Sequence, residues 1–232
     1  RLNDGASHYL LKVLRLNKGH YLHIFNGNGG YYEAEIIDCQ KNVCHLLTKN
    51  HIPIDNESPA SINLAIGISR SEKMDFIFQK CTELGVTSFT PVITEYSEFK
   101  LKGDRLEKKL LHWKKIIISA CEQSRRNRIP ELLKPVPFDE YLLNRGADDQ
   151  HLMLDHRATK GLVNIATGLN KDRAINFMIG PEGGFSEYEL LVAEKSGFHL
   201  AHLGPRVLRT ETAPVATMAI LQSMLGDFSS GQ

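Results

Sequence analysis

The sequence contains neither a run of apolar residues that could span a membrane nor a set of side chains spaced to bind a metal ion. Its 232 residues contain no apolar run approaching the roughly 18 to 20 residues that a membrane-spanning helix needs. Its few cysteines are never spaced Cys-x-x-Cys, and no pair of histidines has a convincing third ligand. We therefore predict no metal site and no membrane partner, and we interpret the cysteines as buried, reduced thiols of a cytoplasmic protein: Cys39, Cys44, Cys81 and Cys121.

Two phosphate-binding signatures are also absent. The chain has no Gly-x-x-x-x-Gly-Lys-Ser/Thr motif, and no Gly-x-Gly-x-x-Gly motif follows its first apolar strand. These absences argue against a nucleoside triphosphatase and against a dinucleotide-dependent oxidoreductase.

Charge is nearly balanced overall but unevenly distributed. The formal net charge is +1, yet the stretch from Lys100 to Arg128 contains ten lysines and arginines against three acidic residues. Such a face suits a polyanion, although a solvated helix surface would carry the same pattern. The run Glu122-Gln-Ser-Arg-Arg-Asn-Arg128 offers forked donors that match phosphates and base edges.

The first 58 residues are predicted to form a small β-barrel domain. Short alternating segments at 21–25, 32–37 and 43–47 are separated by turn-forming residues, including the cluster Asn26-Gly-Asn-Gly-Gly30. Residues 53–59 have the composition of a linker.

From residue 59 to residue 232 the pattern changes to an α/β domain. An apolar strand at 62–68 precedes a helix that either Ser69 or Ser71 can cap and that we expect to end at Gly85. The pattern Ser69-x-x-Glu72 fits a capping box. A further strand and a long helix over 104–124 follow. Strands alternating with helices predict a parallel sheet.

Two similar loops near the end of the chain are the strongest functional signal. Ile179-Gly-Pro-Glu-Gly-Gly-Phe-Ser186 and Leu203-Gly-Pro-Arg-Val-Leu-Arg-Thr-Glu-Thr212 each join a short apolar strand to a helix. Ser186-x-x-Glu189 is a second capping box. Ligands bind at the carboxyl ends of strands in open α/β sheets, where helix N-termini present free N–H groups. The pair therefore predicts a site for a nucleotide-like ligand.

These two loops resemble the paired signature of the SPOUT superfamily, and the chain is similar to the RsmE-type 16S rRNA uridine-N3 methyltransferases. Further similar motifs are His8…Val13-Leu-Arg15, Ser69-Arg-x-Glu-Lys-Met74, Gln79-Lys-x-x-Glu-Leu-Gly85 and Glu122-Gln-Ser…Arg126-Asn-Arg-x-Pro130. The resemblance covers nearly the whole chain. Two departures stand out: members usually begin some residues earlier, so we expect the first barrel strand to be incomplete, and they usually carry Gly where this chain has Arg125.

The resemblance implies a SPOUT-type α/β domain with a C-terminal trefoil knot, preceded by a PUA-like RNA-binding β-barrel. It also implies S-adenosylmethionine as methyl donor, 16S ribosomal RNA or the small ribosomal subunit as partner, and a homodimer whose active site is completed across the interface. Replacing Gly183 by a bulky residue is expected to abolish binding of the donor without unfolding the protein.

The resemblance also suggests roles for individual residues. Arg206 or Arg209 would stabilise the uridine anion, and Glu182 or Glu211 would accept its proton or orient an arginine; for either glutamate, a carboxylate at a helix N-terminus is the alternative. Adenine would rest among Leu203, Leu208 and Ala213. The full cofactor set would be Leu154, Ile179, Gly180, Pro181, Gly183, Gly184, Leu203, Gly204, Leu208, Arg209, Thr210 and Ala213, and the RNA-binding set would be Arg15, Arg70, Lys73, Arg125, Arg126 and Arg128.

Two alternatives remain at this stage. The chain could be a non-catalytic RNA-binding factor in ribosome assembly that keeps the fold. It could also methylate a different RNA base, because the loop pair reports the donor and not the acceptor.

Overall fold

The structure, a computed structural model, describes residues 1–40, 42–97 and 102–228. The chain forms two compact units. The first unit is Arg1–Asn56 together with Arg125–Ile129, and the second unit is Glu57–Ser124 together with the chain from Pro130 onward. The arginine-rich loop 125–129 therefore packs with residues far from it in sequence. Lys100, the first cation of the basic stretch, lies outside the described residues.

The first unit contains two short helical segments and an antiparallel sheet. Helix α1 (Asp4–His8) is capped by Asn3, whose side chain accepts a hydrogen bond from the Ala6 N–H at 2.8 Å. A π-helix (Tyr9–Val13) follows, and the sheet has the order β1-β2-β3. The strands are β1 (Tyr21–Ile24), β2 (Tyr31–Gln40) and β3 (Val43–Ile52). Strands β2 and β3 extend beyond the segments that alternation predicted, and β1 and β3 remain the edges of an open sheet.

Apolar side chains from the helical segments and from the sheet of the first unit pack together. Leu10 of the π-helix meets Ile36 and Cys44. Cys39 and Cys44 are cross-strand partners with their Sγ atoms 3.0 Å apart, and both are free thiols. Cys44 is buried as expected, whereas Cys39 is half-buried.

The second unit is built on a parallel sheet with the order β10-β8-β9-β4-β5-β6, and β7 also pairs with β5. Every pair in this sheet is parallel, as the alternation of strands and helices predicted. The strands are β4 (Ile62–Gly67), β5 (Ser88–Ile93), β6 (Glu131–Leu132), β7 (Val136–Pro137), β8 (Gln150–Leu154), β9 (Ile175–Ile179) and β10 (His199–Ala201). The helices are α2 (Ser71–Glu83), α3 (Asp104–Ser124), α4 (Phe138–Leu143), α5 (Leu162–Ala166), α6 (Glu187–Lys195) and α7 (Thr212–Met224).

Both faces of this sheet are buried, which explains its nearly continuous apolar strands. Phe89 of β5 packs edge-on against Phe78 of α2, with ring centroids 4.9 Å apart, and Phe78 in turn contacts Trp113 of α3 at 5.0 Å. A second cluster contains Met153 and Met178 of the central strands together with Phe185 and Phe198. Trp113 is therefore a core residue.

The two predicted capping boxes had different outcomes. The box at Ser186 and Glu189 is confirmed, with both reciprocal hydrogen bonds formed. The box at Ser69 and Glu72 is wrong, because α2 begins at Ser71 with Arg70 as its N-cap, and Ser69 Oγ donates instead to the Gly67 carbonyl. Helix α5 was not predicted. None of the helices in the described parts of the chain is both long enough and apolar enough to cross a membrane.

Candidate functional site

A cleft of about 170 Å³ lies at the carboxyl edge of the parallel sheet. The register of the sheet brings the last residues of its strands into one row: Ile66 pairs with Ile179, Ile179 with Leu154, and Leu154 with Ala201. The chain leaves this row into the two Gly-Pro loops, and both line the cleft. We define the first loop as residues 180–185 and the second loop as residues 204–211.

The first loop is packed closely against the end of β4. A Cβ atom on Gly67 would lie 2.5 Å from Pro181 Cδ and 2.6 Å from Pro181 N. A Cβ atom on Gly180 would lie 2.9 Å from the backbone of Gly184. Glycine is therefore required at both positions because backbone atoms occupy the space of a side chain.

A neighbouring side chain of the protein limits the size of the residue at position 183. A Cβ atom there would lie 2.9 Å from Tyr96 Cβ, in the segment that follows β5. The backbone N–H of Glu95 donates to Glu189 Oε1 at 2.9 Å, which fixes the same segment to the start of α6. A bulky residue at Gly183 would thus displace Tyr96 as well as narrow the cleft.

An ion pair between the buried Asp155 and the exposed Arg157 connects the end of the first loop to the end of β8. The Asp155 side chain is only 4% exposed and accepts from Arg157 Nε at 2.8 Å and from Arg157 Nη2 at 2.9 Å. The same Arg157 guanidinium donates to the Phe185 carbonyl at 2.7 Å. Burial raises the pKa of Asp155, but the hydrogen bonds and charge of Arg157 outweigh it and hold that pKa below its usual range. Asp155 is thus ionised, and its carboxylate also lines the cleft.

The second loop is the more exposed of the two. Gly204 has φ +92° and donates from its backbone N–H to His202 Nδ1 at 2.9 Å. In the part of the chain that the structure describes, the backbone N–H groups of Val207 and Leu208 donate no hydrogen bond. Both residues line the cleft, and Val207 is 73% exposed. The loop therefore presents free donors to whatever occupies the cleft.

Glu182 of the first loop lies in a small charged cluster. Its Oε1 is 3.2 Å from Lys73 Nζ and accepts from the Arg70 backbone N–H at 3.3 Å. Lys73 Nζ also lies 3.7 Å from Glu211 Oε2. Burial raises the pKa of Glu182, but hydrogen bonds from backbone N–H groups and the charge of Lys73 lower it by more. The pKa therefore lies below its usual range. A carboxylate stabilised in this way is a poor proton acceptor.

The cleft brings together most of the residues predicted from the sequence. All of the predicted cofactor residues except Arg209 line it, as do Arg206 and Glu182. Arg209 is exposed and is not among the residues that line the cleft. Its carbonyl accepts hydrogen bonds from the N–H groups of Thr212 and Ala213. Sequence reasoning missed the lining residues Asp155, His156, Ala201 and Val207. Asp155 could have been found, because it directly follows a strand that ends at the same sheet edge.

The predicted RNA-binding residues of the first unit fall into two places. Arg15 is exposed, follows the π-helix and has φ +55°. In loop 125–129, Arg126 is only 5% exposed, and Arg128 Nε donates to Asp55 Oδ2 at 2.6 Å. Asn127 Nδ2 donates to the Ile54 carbonyl at 2.7 Å. These hydrogen bonds give Asn127 and Arg128 a structural role in the loop, and the Arg128 side chain is still 55% exposed.

Arg125 differs from its neighbours. Its side chain is exposed, and its backbone has φ +63°, a conformation that favours glycine. Asn56 Nδ2 donates to the Arg125 carbonyl at 3.0 Å and helps hold this backbone in place. Arginine thus occupies a position where the resemblance led us to expect glycine and where the backbone geometry favours it.

The other two predicted RNA-binding residues belong to the second unit. Arg70 is exposed at the N-terminus of α2 and Lys73 is in its first turn. Within residues 1–40, 42–97 and 102–228, no group of three or more His, Cys, Asp or Glu side chains could hold a metal ion.

Comparison with known proteins supplies the family. Residues 56–222 match the RNA methyltransferase domain family, and residues 2–47 match the RNA methyltransferase PUA domain family. The Ribosomal RNA small subunit methyltransferase E of Buchnera aphidicola subsp. Schizaphis graminum is 36% identical over 228 residues, which cover 98% of this chain and 92% of that protein.

Two crystal structures are similar over the same length. The Ribosomal RNA small subunit methyltransferase E from Neisseria gonorrhoeae, bound to S-adenosyl methionine, is 37% identical, with a TM-score of 0.90. A methyltransferase from Legionella pneumophila, solved in complex with the same cofactor, is 36% identical, with a TM-score of 0.92. Each similarity covers 98% of this chain and 92% of the other.

The parallel sheet and the glycine-lined cleft at its carboxyl edge define an α/β protein with a cleft at the edge where such sheets bind ligands. The chain belongs to the RNA methyltransferase family that includes the ribosomal RNA small subunit methyltransferases E. The expected similarity to the RsmE-type rRNA methyltransferases and the expected N-terminal PUA-like domain are thereby confirmed.

Proposed function

We propose that this protein is an S-adenosylmethionine-dependent methyltransferase that methylates N3 of a uridine in 16S ribosomal RNA, and that the cleft between the two Gly-Pro loops is its cofactor site. The observation that carries this proposal is the cleft itself, which contains nearly every residue that the paired loops predicted. The small ribosomal subunit as substrate would place the reaction in the cytoplasm.

The residues of the cleft fit this cofactor. Open space lies where Cβ atoms of Gly184 and Gly204 would be, and both glycines have positive φ. Leu203, Leu208 and Ala213 supply an apolar surface for an adenine ring, while the free N–H groups of Val207 and Leu208 supply donors for its polar atoms. When bound, S-adenosylmethionine would supply an electrophilic methyl group.

The protein must then align the base and stabilise its charge. N3 of uridine is an imide nitrogen that is reached only when the base is unpaired, and it develops negative charge as its proton leaves. Of the two predicted arginines, Arg206 lines the cleft and forms no ion pair within the described residues. We assign to Arg206 the stabilisation of the uridine anion. The ion pairing of Glu182 favours a positioning role for this carboxylate over proton transfer.

A homodimer and a knotted C-terminus belong to the same proposal. Val215, Ala216, Ala219 and Ile220 of α7 are half-buried, and a second copy would cover them. The His202 N–H donates to the Lys160 carbonyl and the Leu162 N–H to the His202 carbonyl, so the chain enters the second loop alongside residues 160–162. That path is consistent with a trefoil knot. Sedimentation equilibrium would test the dimer, for which a monomer at micromolar concentration would be the contrary result.

Contact with RNA is assigned to Arg125 and Arg15, which are exposed in the first unit, and to the exposed Arg70 of the second unit. Binding through phosphates should weaken steeply as salt is raised. An affinity for 16S rRNA that is insensitive to salt would contradict this assignment.

One assay separates this proposal from its alternatives. The purified protein is incubated with labelled S-adenosylmethionine and either 16S rRNA or small subunits, and the modified nucleoside is identified by mass spectrometry. We expect N3-methyluridine. Absence of transfer together with absence of cofactor binding would favour an assembly factor, whereas a different methylated nucleoside would favour another target base.

A further inference from the structure

Lys73 lies where the two Gly-Pro loops come closest to the same helix. It is in the first turn of α2, and its side chain is 28% exposed. Its ammonium lies 3.2 Å from Glu182 of the first loop and 3.7 Å from Glu211 of the second loop. One cation on a rigid helix therefore contacts a carboxylate from each loop.

Both carboxylates depend on this contact. Glu211 occupies the N-cap position of α7 but its side chain caps no N–H group. Its Oε2 atom is buried, and among the described residues it has no hydrogen-bond donor. Glu182 is more exposed, and its carboxylate also accepts from backbone N–H groups, among them that of Arg70 at 3.3 Å. Without Lys73, the carboxylates of Glu182 and Glu211 would lose the cation that lies within 4 Å of both and would repel each other.

The connection to α2 also reaches the backbone of the first loop. Gly67, at the end of β4 and four residues before α2 begins, is in contact with Pro181. The segment from Gly67 to Lys73 thus supports Pro181 by packing, Glu182 by a backbone hydrogen bond and Glu211 by charge.

We propose that Lys73 is a positioning residue of the cofactor cleft, which sets the separation of the two Gly-Pro loops by pairing with Glu182 and Glu211. This inference rests on the proposed cofactor site and gives Lys73 a role within it in place of a contact with RNA. Arginine carries the same charge with a longer, forked head and should preserve most of the role.

The test compares Lys73→Met with Lys80→Met on the same helix. Lys80 also forms an ion pair, with Glu83 at 2.8 Å, but this pair lies at the other end of α2 and lines no part of the cleft. We expect Lys73→Met to raise the dissociation constant for S-adenosylmethionine roughly tenfold, a loss between those typical of exposed and of fully buried charge pairs. Lys80→Met should leave it unchanged.

Further measurements separate positioning from other roles. The Michaelis constant for the cofactor should rise while turnover at saturating cofactor stays near that of the wild type, and Lys73→Arg should restore most of the affinity. Adding Glu182→Gln to Lys73→Met should cost less than Glu182→Gln costs the wild type, because the two residues are coupled.

The outcomes also distinguish this inference from the proposed function. If the wild-type protein does not bind S-adenosylmethionine, the proposed function fails. If the wild type binds it and Lys73→Met binds it equally well, the inference about Lys73 is overturned while the proposed function stands. Loss of rRNA affinity in Lys73→Met with unchanged cofactor affinity would likewise overturn it and return Lys73 to the RNA interface.

Discussion

The two Gly-Pro loops look alike in sequence but differ in how the protein holds them. The first loop is fixed by Gly67 beneath Pro181, by Tyr96 beside Gly183 and by Arg157 at the Phe185 carbonyl. In the second loop, Val207 is 73% exposed, and the N–H groups of Val207 and Leu208 donate no hydrogen bond within the described chain.

This difference indicates that the two loops have different roles in ligand binding. A loop that is packed from several sides is preorganised, so little conformational entropy is lost when a ligand binds to it. A loop with free donors gains hydrogen bonds when a ligand or a second protein copy supplies acceptors. We therefore expect the first loop to provide a fixed wall of the cleft and the second loop to close around the cofactor.

The largest effect is expected from Arg206, the charged group of the open loop that lines the cleft. Arg206→Gln should lower turnover by about 10²–10³-fold, the size typical of removing one donor that stabilises a developing anion. Arg209→Gln is the matched comparison, because Arg209 belongs to the same loop but not to the lining. Steady-state kinetics with saturating cofactor would measure both. Equal losses for the two variants would show that the cleft does not distinguish these arginines.

The next effect concerns the fixed loop. Gly67→Ala places a methyl group 2.5 Å from Pro181 Cδ and 2.6 Å from its backbone nitrogen, so the first loop must move. Cofactor affinity measured by calorimetry should fall by roughly tenfold or more, since the binding geometry of the wall is lost. Gly168→Ala is the control, because its added Cβ would meet only one atom at 3.5 Å. An unchanged affinity in Gly67→Ala would mean that the first loop is not a rigid wall.

Asp155→Asn tests the ion pair that holds the first loop. We expect the free energy of unfolding at pH 7 to fall by about 1–2 kcal/mol, because the charge-assisted hydrogen bonds of Arg157 are weakened. The pKa of Asp155 is lowered on folding, so its contribution is present above the unfolded pKa and is lost as the pH falls through the folded pKa. Denaturant titrations should therefore show the two proteins converging below about pH 4. A difference that stays constant down to acid pH would contradict the assignment.

The smallest effect is expected at the cap of α6. Ser186→Ala should cost about 1 kcal/mol of stability, because both bonds of its capping box are formed. Ser69→Ala should cost less, since Ser69 caps no helix and bonds only to the Gly67 carbonyl. Thermal unfolding of both variants would show which substitution lowers the stability more. A larger loss for Ser69→Ala would reverse this order.

These two serines also show where local sequence is sufficient and where it fails. At Ser186, both members of the box satisfy each other, and the pattern predicts the structure. At Ser69, the same pattern fails because the N–H group of Arg70, at the start of α2, donates to Glu182, which lies 112 residues away in the sequence. Long-range partners replace the local cap, and no local pattern can report them.

The same limit applies to the candidate site. Strand ends and glycine loops are visible in the sequence, so the row of Ile179, Leu154 and the two loops could be predicted. The role of Asp155 depends on Arg157 reaching the Phe185 carbonyl, and that of Lys73 depends on two distant glutamates. The division of the arginines in loop 125–129 depends on Asp55, Ile54 and Asn56, which are close only in the fold.

Hydrogen exchange of the backbone amides with and without S-adenosylmethionine tests the contrast between the two loops most directly. We predict strong new protection in residues 206–210 on addition of the cofactor and little change at Gly184, whose N–H already donates to the Pro181 carbonyl at 2.9 Å. Equal gains in both loops, or protection confined to the first loop, would contradict the account of one fixed and one closing wall.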